Sequence, residues 1–327
     1  MAIKPIIILL LGLTLASVRL VEAQQTKKVP RIGYLGATSR STNPARIEAF
    51  RQGLRELGYV EGKNIVIEHR HAEGKLDRLP TLASELVRLK VDVVLTGGPA
   101  ATRSAKQATA TIPIVMAYDD DPIGSGFVAS LARPGGNITG LATLAPEISG
   151  KQLELLKEIA PKLSRVAVLG NATQPGSPQA LREINVAADA FGVQLQYLEV
   201  RGPKDIETAF RAASKERADA VLVVSTPVLL SQRRQVADLA VNSRLPAIYN
   251  RPEYVEDGGL VFYGVSYTDL FRRAATYVDK ILKGVKPADL PIEQPKKFEL
   301  IINLKAAKQI GLTILPNVLV RADRVIK

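Results

Sequence analysis

The 327-residue chain has no cysteine and only two histidines. Without cysteine it can form no disulfide, thiolate nucleophile or cysteine-bound metal site, and no lipid can tether it to a membrane through a cysteine. The histidines, His69 and His71, alternate along a predicted strand, which is typical of surface decoration rather than of a metal or acid–base site. The sequence therefore predicts neither a metal site nor a cofactor.

Motifs of nucleotide-dependent and hydrolytic enzymes are also missing. The segment Gly33-Tyr34-Leu35-Gly36 lacks the G-x-G-x-x-G spacing of a dinucleotide-binding turn. The chain has no G-x-x-x-x-G-K loop followed by Ser or Thr, and no serine in a G-x-S-x-G elbow. We therefore expect a protein that is not an enzyme.

Positive charge is abundant, with a formal net charge of +12, but it is not concentrated. A nucleic-acid surface gathers Lys and Arg on one face, together with aromatic side chains that stack on bases. Here the basic residues are scattered over predicted helices, which is typical of solvated helix faces. The sequence predicts no nucleic-acid partner.

The first residues have the pattern of a secretory signal. A basic start at residues 1–4 precedes an apolar run at residues 5–18, and Val21-Glu22-Ala23 places small residues at the minus-three and minus-one cleavage positions. The apolar run is shorter than the roughly 20 residues of a membrane-spanning helix. We expect residues 1–23 to be a signal peptide cleaved near Ala23, and the mature chain to be soluble, exported to the periplasm and not membrane-anchored.

Short runs rich in Val and Ile alternate with segments of helical periodicity, as in parallel β/α units. A first series predicts strands near residues 31–36, 64–70, 91–96 and 112–116. A second series begins after the turn-rich segment at residues 133–137 and predicts strands near 165–169, 193–200, 220–225 and 246–249. Two such series predict an α/β protein with two similar lobes, and the seam falls near residues 139–146.

Ligands of open parallel sheets bind beyond the carboxyl ends of the strands, where helix N-termini point backbone N–H groups into the crevice. This rule selects a set of candidate ligand-binding residues that follow the predicted strands. They are Thr38, Ser39, Thr42, Gly97, Gly98, Tyr118 and Asp121 in the first lobe, and Asn171, Thr173, Ser225, Thr226, Asn250 and Arg251 in the second.

Two of these segments suggest a specific chemistry. The Gly97-Gly98-Pro99 turn lets a carboxylate approach the backbone at a helix start, although it is equally compatible with a plain tight turn. The run Asp119-Asp120-Asp121 offers an acidic partner to an ammonium group, or it is solvated loop charge.

Three long segments resemble a known family. They are residues 53–74 (GLRELGYVEGKNIVIEHRHAEG), residues 111–141 (TIPIVMAYDDDPIGSGFVASLARPGGNITGL) and residues 272–312 (RRAATYVDKILKGVKPADLPIEQPKKFELIINLKAAKQIGL). They look like the substrate-binding proteins of ABC transporters, in the branch often described as tryptophan/tyrosine-type or uncharacterised. The resemblance covers nearly the whole mature chain.

The resemblance implies a type I periplasmic-binding fold, with two Rossmann-like lobes, parallel sheets and a three-segment hinge. It implies a first lobe of residues 24–142 and 259–290 and a second of residues 143–258 and 291–327. Residues 259–264 would cross back to the first lobe, residues 268–283 would form a helix there, and residues 298–303 would return to the second.

The function implied is that of the solute-binding component of an importer. It would bind a small carboxylate-bearing ligand between the lobes and, as a monomer, deliver it to an ABC permease and its ATPase. An aromatic or branched amino acid, another small carboxylate and a purine-like ring are the ligand classes that stay open. The alternative is an exported sensing module that presents its ligand to a membrane receptor kinase.

Overall fold

The structure is a computed structural model, and it describes residues 29–42, 44–143, 145–174, 177–224 and 226–327. The predicted signal peptide, residues 1–23, lies outside these ranges. Within them, no helix combines the length and the apolar character needed to cross a membrane.

The first lobe is built on a five-stranded parallel sheet. Its strands are β1 (Arg31–Gly36), β2 (Val66–His71), β3 (Val93–Gly97), β4 (Ile114–Asp119) and β5 (Ile138–Ala142), in the spatial order β2-β1-β3-β4-β5. Helices α1 (Pro44–Glu56), α2 (Leu79–Arg88) and α3 (Pro99–Ala108) connect them, with short 3-10 turns at Arg40–Thr42 and Leu76–Arg78. Because all these strands are parallel, their carboxyl ends lie at one edge of the sheet.

The second lobe begins with α4 (Ala145–Ile159) and has a seven-stranded sheet. Its strands are β6 (Arg165–Gly170), β7 (Gln194–Glu199), β8 (Ala220–Val223), β9 (Ala247–Tyr249), β10 (Val261–Val265), β11 (Phe298–Asn303) and β12 (Arg324–Ile326), in the order β12-β11-β10-β9-β8-β6-β7. The pairing is parallel except between β10 and β11. The two mostly parallel sheets confirm the predicted two-lobed α/β fold.

The remaining helices follow the strands of the second lobe, with one return to the first. They are α5 (Ser177–Phe191), α6 (Asp205–Lys215), α7 (Pro227–Ser231), α8 (Arg233–Asn242), α9 (Pro252–Glu256), α10 (Tyr267–Leu282), α11 (Leu304–Gln309) and α12 (Pro316–Leu319), with a 3-10 turn at Pro287–Asp289. Of these, α10 packs on α1 in the first lobe.

Helix α10 illustrates how local sequence produces this packing. The Ser266 side chain accepts a hydrogen bond from the backbone N–H of Asp269 and so caps the helix start. Leu270, Phe271 and other apolar residues at helical spacing are buried in one core cluster with side chains of α1. Burial of this apolar face holds the returning helix on the first lobe.

One prediction about the lobe boundaries is corrected by the structure. Residues 138–142 form β5 of the first sheet and pair with β4, which agrees with a first lobe that extends to residue 142. Residues 259–264 do not cross to the first lobe. Strand β10 pairs with β9 and β11, so the crossing follows Val265 and reaches the first lobe at α10.

In the described residues the chain passes between the lobes at three places: after Ala142, after Val265 and before Phe298. These connectors are tied to one another. The Ala142 N–H donates to the Glu293 carbonyl over 2.9 Å, and the Ser266 N–H donates to the Lys297 carbonyl over 3.1 Å. The three connectors therefore form one hydrogen-bonded hinge region beside the cleft.

Candidate functional site

A cavity lies between the two lobes at the carboxyl ends of the parallel strands. Its empty space is about 660 Å³, part of it open to solvent. The first lobe contributes Tyr34, Ala37, Thr38, Arg46, Gly97, Gly98, Pro99, Ala100, Tyr118, Asp120 and Phe271, and the second contributes Gln174, Thr226, Pro227, Leu230 and Arg251.

The predicted site residues divide into two groups. Those that line the cavity are Thr38, Gly97, Gly98, Tyr118, Thr226 and Arg251. Those placed outside its lining are Ser39, Thr42, Asp121, Asn171, Thr173 and Asn250, and Ser225 lies outside the described residues. Several of the second group bond locally instead: Asn171 Oδ1 accepts from Thr173, and Asp121 Oδ1 accepts from the Gly124 N–H over 2.8 Å.

The Gly97-Gly98 turn lies under two tyrosine hydroxyls. A Cβ added at Gly97 would stand 2.6 Å from the Tyr34 hydroxyl oxygen, and one at Gly98 would stand 2.8 Å from that of Tyr118. Gly98 also has a φ of +109°, which side-chain-bearing residues rarely adopt. Glycine at both positions therefore brings backbone, tyrosine hydroxyls and the start of α3 together at one wall of the cavity.

This wall presents hydrogen-bond donors. The first N–H groups of α3 have no partner within the helix, and the helix dipole favours negative charge at its start. Phenol hydroxyls also donate to carboxylate oxygens. The arrangement is suited to a carboxylate, with the tyrosine rings and Phe271 offering apolar faces beside it.

Arg251 reaches across the cleft from the end of β9 and is only 3% exposed. Its guanidinium carbon lies 4.0 Å from the ring centroid of Tyr267 and 4.9 Å from that of Tyr118, both in the first lobe. One guanidinium nitrogen lies 3.8 Å from Asp120 Oδ1. The side chain is therefore held by two aromatic faces and a carboxylate of the opposite lobe.

A second arginine joins the lobes next to the first. Arg46 of α1 pairs with Glu253 of α9, and their side chains are 4% and 11% exposed. The Arg46 guanidinium carbon also lies 4.3 Å from the Tyr267 ring centroid. Arg46 and Glu253 also line a second groove, and Arg46 is the residue that the groove and the main cavity share.

The three consecutive aspartates have different surroundings. Asp119 is fully buried at the end of β4, and burial, reinforced by Asp120, raises its pKa well above the usual value. Asp120 lines the cavity and accepts a hydrogen bond from Thr143 Oγ1 over 3.0 Å. Asp121 turns away to cap the following loop. Of the three, Asp120 is the one placed to face a ligand.

His69 and His71 lie near the Tyr34 ring, with their own rings nearly parallel and 6.0 Å apart. In the described residues, no group of three or more His, Asp or Glu side chains could hold a metal ion. Desolvation, and then the charge of Arg40, lowers the pKa of His69 to about 4. Burial also lowers the pKa of His71. Both rings are therefore neutral near pH 7.

These depressed pKa values predict a loss of stability in mild acid. The pKa of His69 is near 6.5 in the unfolded chain and about 4 in the folded chain. Its contribution to the free energy of unfolding is therefore present above pH 6.5 and is lost as the pH falls from 6.5 to 4. The urea midpoint of His69→Gln should fall less than that of the native chain between pH 7 and 4.5. The two proteins differ only at this side chain, so parallel midpoint curves would contradict the prediction.

The comparisons with known proteins agree with this architecture. The family model described as "ABC transporter substrate binding protein" matches residues 39–326. A "Tyrosine-binding protein" of Clostridioides difficile is 25% identical over 287 residues, which cover 88% of this chain and 82% of that protein.

Two solved structures are similar over almost their full length. A conserved domain protein of Vibrio cholerae superposes with a TM-score of 0.86 and is 28% identical, covering 91% of this chain and 100% of its own. A protein of Streptococcus pneumoniae, described as an ABC domain in complex with L-Trp, has a TM-score of 0.85 and 28% identity, covering 91% and 99%.

Proposed function

This chain belongs to the ABC transporter substrate-binding protein family, and we propose that it binds a small carboxylate-bearing ligand between its lobes and delivers it to a membrane permease. The observation that carries the proposal is the interlobe cavity, whose wall combines the glycine turn, the start of α3 and Arg251 of the opposite lobe. Each of these groups favours a negatively charged ligand.

The aromatic walls favour a ligand with a flat or branched apolar part. Tyr34, Tyr118 and Phe271 line one side of the cavity, and Leu230 lies on the other. A similar protein is named for tyrosine and another was solved with L-Trp. Aromatic and branched amino acids and their carboxylate analogues are therefore the first compounds to test.

Closure of the lobes explains how a transporter can distinguish the ligand-bound protein from the ligand-free one. A ligand that touches both lobes binds the closed form more tightly and so shifts the population toward it. We propose that the closed, loaded form docks as a monomer on an ABC permease coupled to its ATPase, in the periplasm after signal-peptide removal. The protein's role is then binding and delivery, without turnover of the ligand.

A thermal-shift screen of residues 24–327 tests this proposal. Amino acids, organic acids, sugars and nucleobases would be added in turn, since a ligand at 100 times its dissociation constant stabilises the native state by roughly 2.7 kcal/mol. We expect a clear rise in melting temperature with a carboxylate-bearing compound. Shifts confined to uncharged sugars or nucleobases would contradict the proposed ligand class.

Two substitutions at neighbouring positions test whether the ligand binds in the cavity. Thr38 lines it and Ser39 does not, so Thr38→Trp should fill the cavity and abolish the ligand-induced shift, whereas Ser39→Trp should retain it. The melting temperatures without ligand establish that both variants fold. Retention of the full shift in both variants would place the ligand elsewhere.

A further inference from the structure

We infer that the cavity selects a carboxylate that carries no ammonium group beside it, because Arg251 of this chain already occupies the position where a ligand cation would bind. This inference rests on the proposed function and decides which of the carboxylate classes the site prefers. It distinguishes an α-amino acid from the same acid without its amino group.

The environment of the Arg251 guanidinium is a cation site. Ammonium groups bind over aromatic faces within about 6 Å of the ring centroid and beside carboxylates. The guanidinium carbon lies 4.0 Å from the Tyr267 centroid and 4.9 Å from that of Tyr118, with a nitrogen 3.8 Å from Asp120 Oδ1. A side chain from the second lobe thus fills a cation site built by the first.

Secondary structure holds both halves of this arrangement in place. Arg251 immediately precedes Pro252, which fixes the start of α9 at the end of the short strand β9. Tyr267 is the first residue of α10, directly after the capping Ser266. Because Arg251 is only 3% exposed, a ligand ammonium could enter the site only by displacing it.

The charges around the cavity favour the same conclusion. Among the described lining residues, Arg46 is paired with Glu253 outside the lining, and one residue, Asp120, carries a carboxylate. That carboxylate already accepts a hydrogen bond from Thr143 and lies close to Arg251. Asp119 is fully buried, and burial raises its pKa.

An α-ammonium group would therefore be desolvated beside Asp120, a carboxylate that Thr143 and Arg251 already engage. A buried charge without a partner is strongly disfavoured, whereas a carboxylate alone meets the turn, the α3 start and Arg251. We expect each α-amino acid to bind at least about tenfold more weakly than its analogue without the amino group. A tenfold ratio of dissociation constants corresponds to about 1.4 kcal/mol of binding free energy.

Matched pairs of ligands test the inference by isothermal titration calorimetry on residues 24–327. The pairs are L-tyrosine with 3-(4-hydroxyphenyl)propionate, L-tryptophan with indole-3-propionate, and L-leucine with 4-methylpentanoate. Tighter binding of the analogue in every pair that binds supports the inference. Equal or tighter binding of the amino acids overturns it and leaves the proposed function standing, while binding of none of the six overturns the carboxylate proposal and the inference together.

Variants of Arg251 test whether its charge determines the ligand preference or whether the side chain only supports the structure. Arg251→Met removes the charge while keeping an unbranched chain, and should reverse or erase the preference by at least about tenfold. Arg251→Lys keeps the charge and should keep the preference, which serves as a second test if the methionine variant does not fold. Arg233→Met is the control, since Arg233 pairs with Asp257 away from the cavity. An unchanged ratio in folded Arg251→Met overturns the inference.

Discussion

Arg46→Ala is expected to shift the two lobes from closed to open. Arg46 and Glu253 form an ion pair across the cleft, and their side chains are 4% and 11% exposed. Removing one partner of a buried pair typically costs about 3 to 5 kcal/mol, because the remaining charge is left without compensation. Opening the lobes returns the Glu253 carboxylate to water, so most of this cost should fall on closure rather than on folding.

Small-angle X-ray scattering of the ligand-free variant measures this shift directly. A loss of 3 kcal/mol or more changes the closed-to-open ratio by a factor of about 100. The radius of gyration should therefore rise to that of an open form. Apparent ligand affinity should fall in proportion to the lost closed population, with little change in the urea midpoint.

The same helix supplies a control. Arg55 of α1 pairs with Glu48 within the first lobe, and these side chains are 50% and 59% exposed. Exposed pairs contribute at most about 1 kcal/mol, so Arg55→Ala should leave scattering and affinity unchanged. Arg46→Met with Glu253→Met should restore closure by replacing the pair with apolar contact. Identical scattering from Arg46→Ala and Arg55→Ala would contradict the interpretation.

Much of the fold was predictable because its strands are short, apolar and bounded by clear turns. Residues 31–36 and 165–169 were predicted as strands, and the structure has them as β1 and β6. The error concerns residues 259–264, which the family resemblance placed in the crossing to the first lobe. Only the pairing of β10 with β9 and β11 shows that this segment belongs to the second sheet.

The site was predictable where it follows the strand-end rule. Thr38, Gly97, Tyr118 and other predicted residues do line the cavity. Arg46 and Phe271 could not be found this way, because they project from helices whose position depends on packing between distant segments.

The run of three aspartates shows that the exact end of β4 decides which carboxylate lines the cavity. The strand-end rule selected Asp121 as a ligand-binding candidate, whereas Asp120 lines the cavity. The β4–β5 register is irregular between Met116 and Asp119, immediately before these residues. One residue of register decides which carboxylate faces the cleft, and local sequence carries no signal for such an irregularity.

Gly140→Ala should strongly destabilise the first lobe. A Cβ at this position would stand 2.2 Å from the Met116 carbonyl oxygen and 2.6 Å from the Met116 nitrogen, both backbone atoms of the paired strand. Gly140 also has a φ of +136°. Strain of this kind costs about 1 to 3 kcal/mol and overpacking a similar amount, so we expect a loss of about 4 kcal/mol in the free energy of unfolding.

Gly136→Ala is the matched control, four residues earlier in the same segment. Nothing lies within 4 Å of its added Cβ, so its urea midpoint should stay within the small range of ordinary surface changes. The Gly140 carbonyl also accepts the Glu293 N–H over 3.0 Å. Hydrogen exchange at Glu293 should therefore accelerate in Gly140→Ala and not in Gly136→Ala. Equal midpoints for the two variants would show that β5 can move away from β4 at little cost, and that the hinge region tolerates such movement.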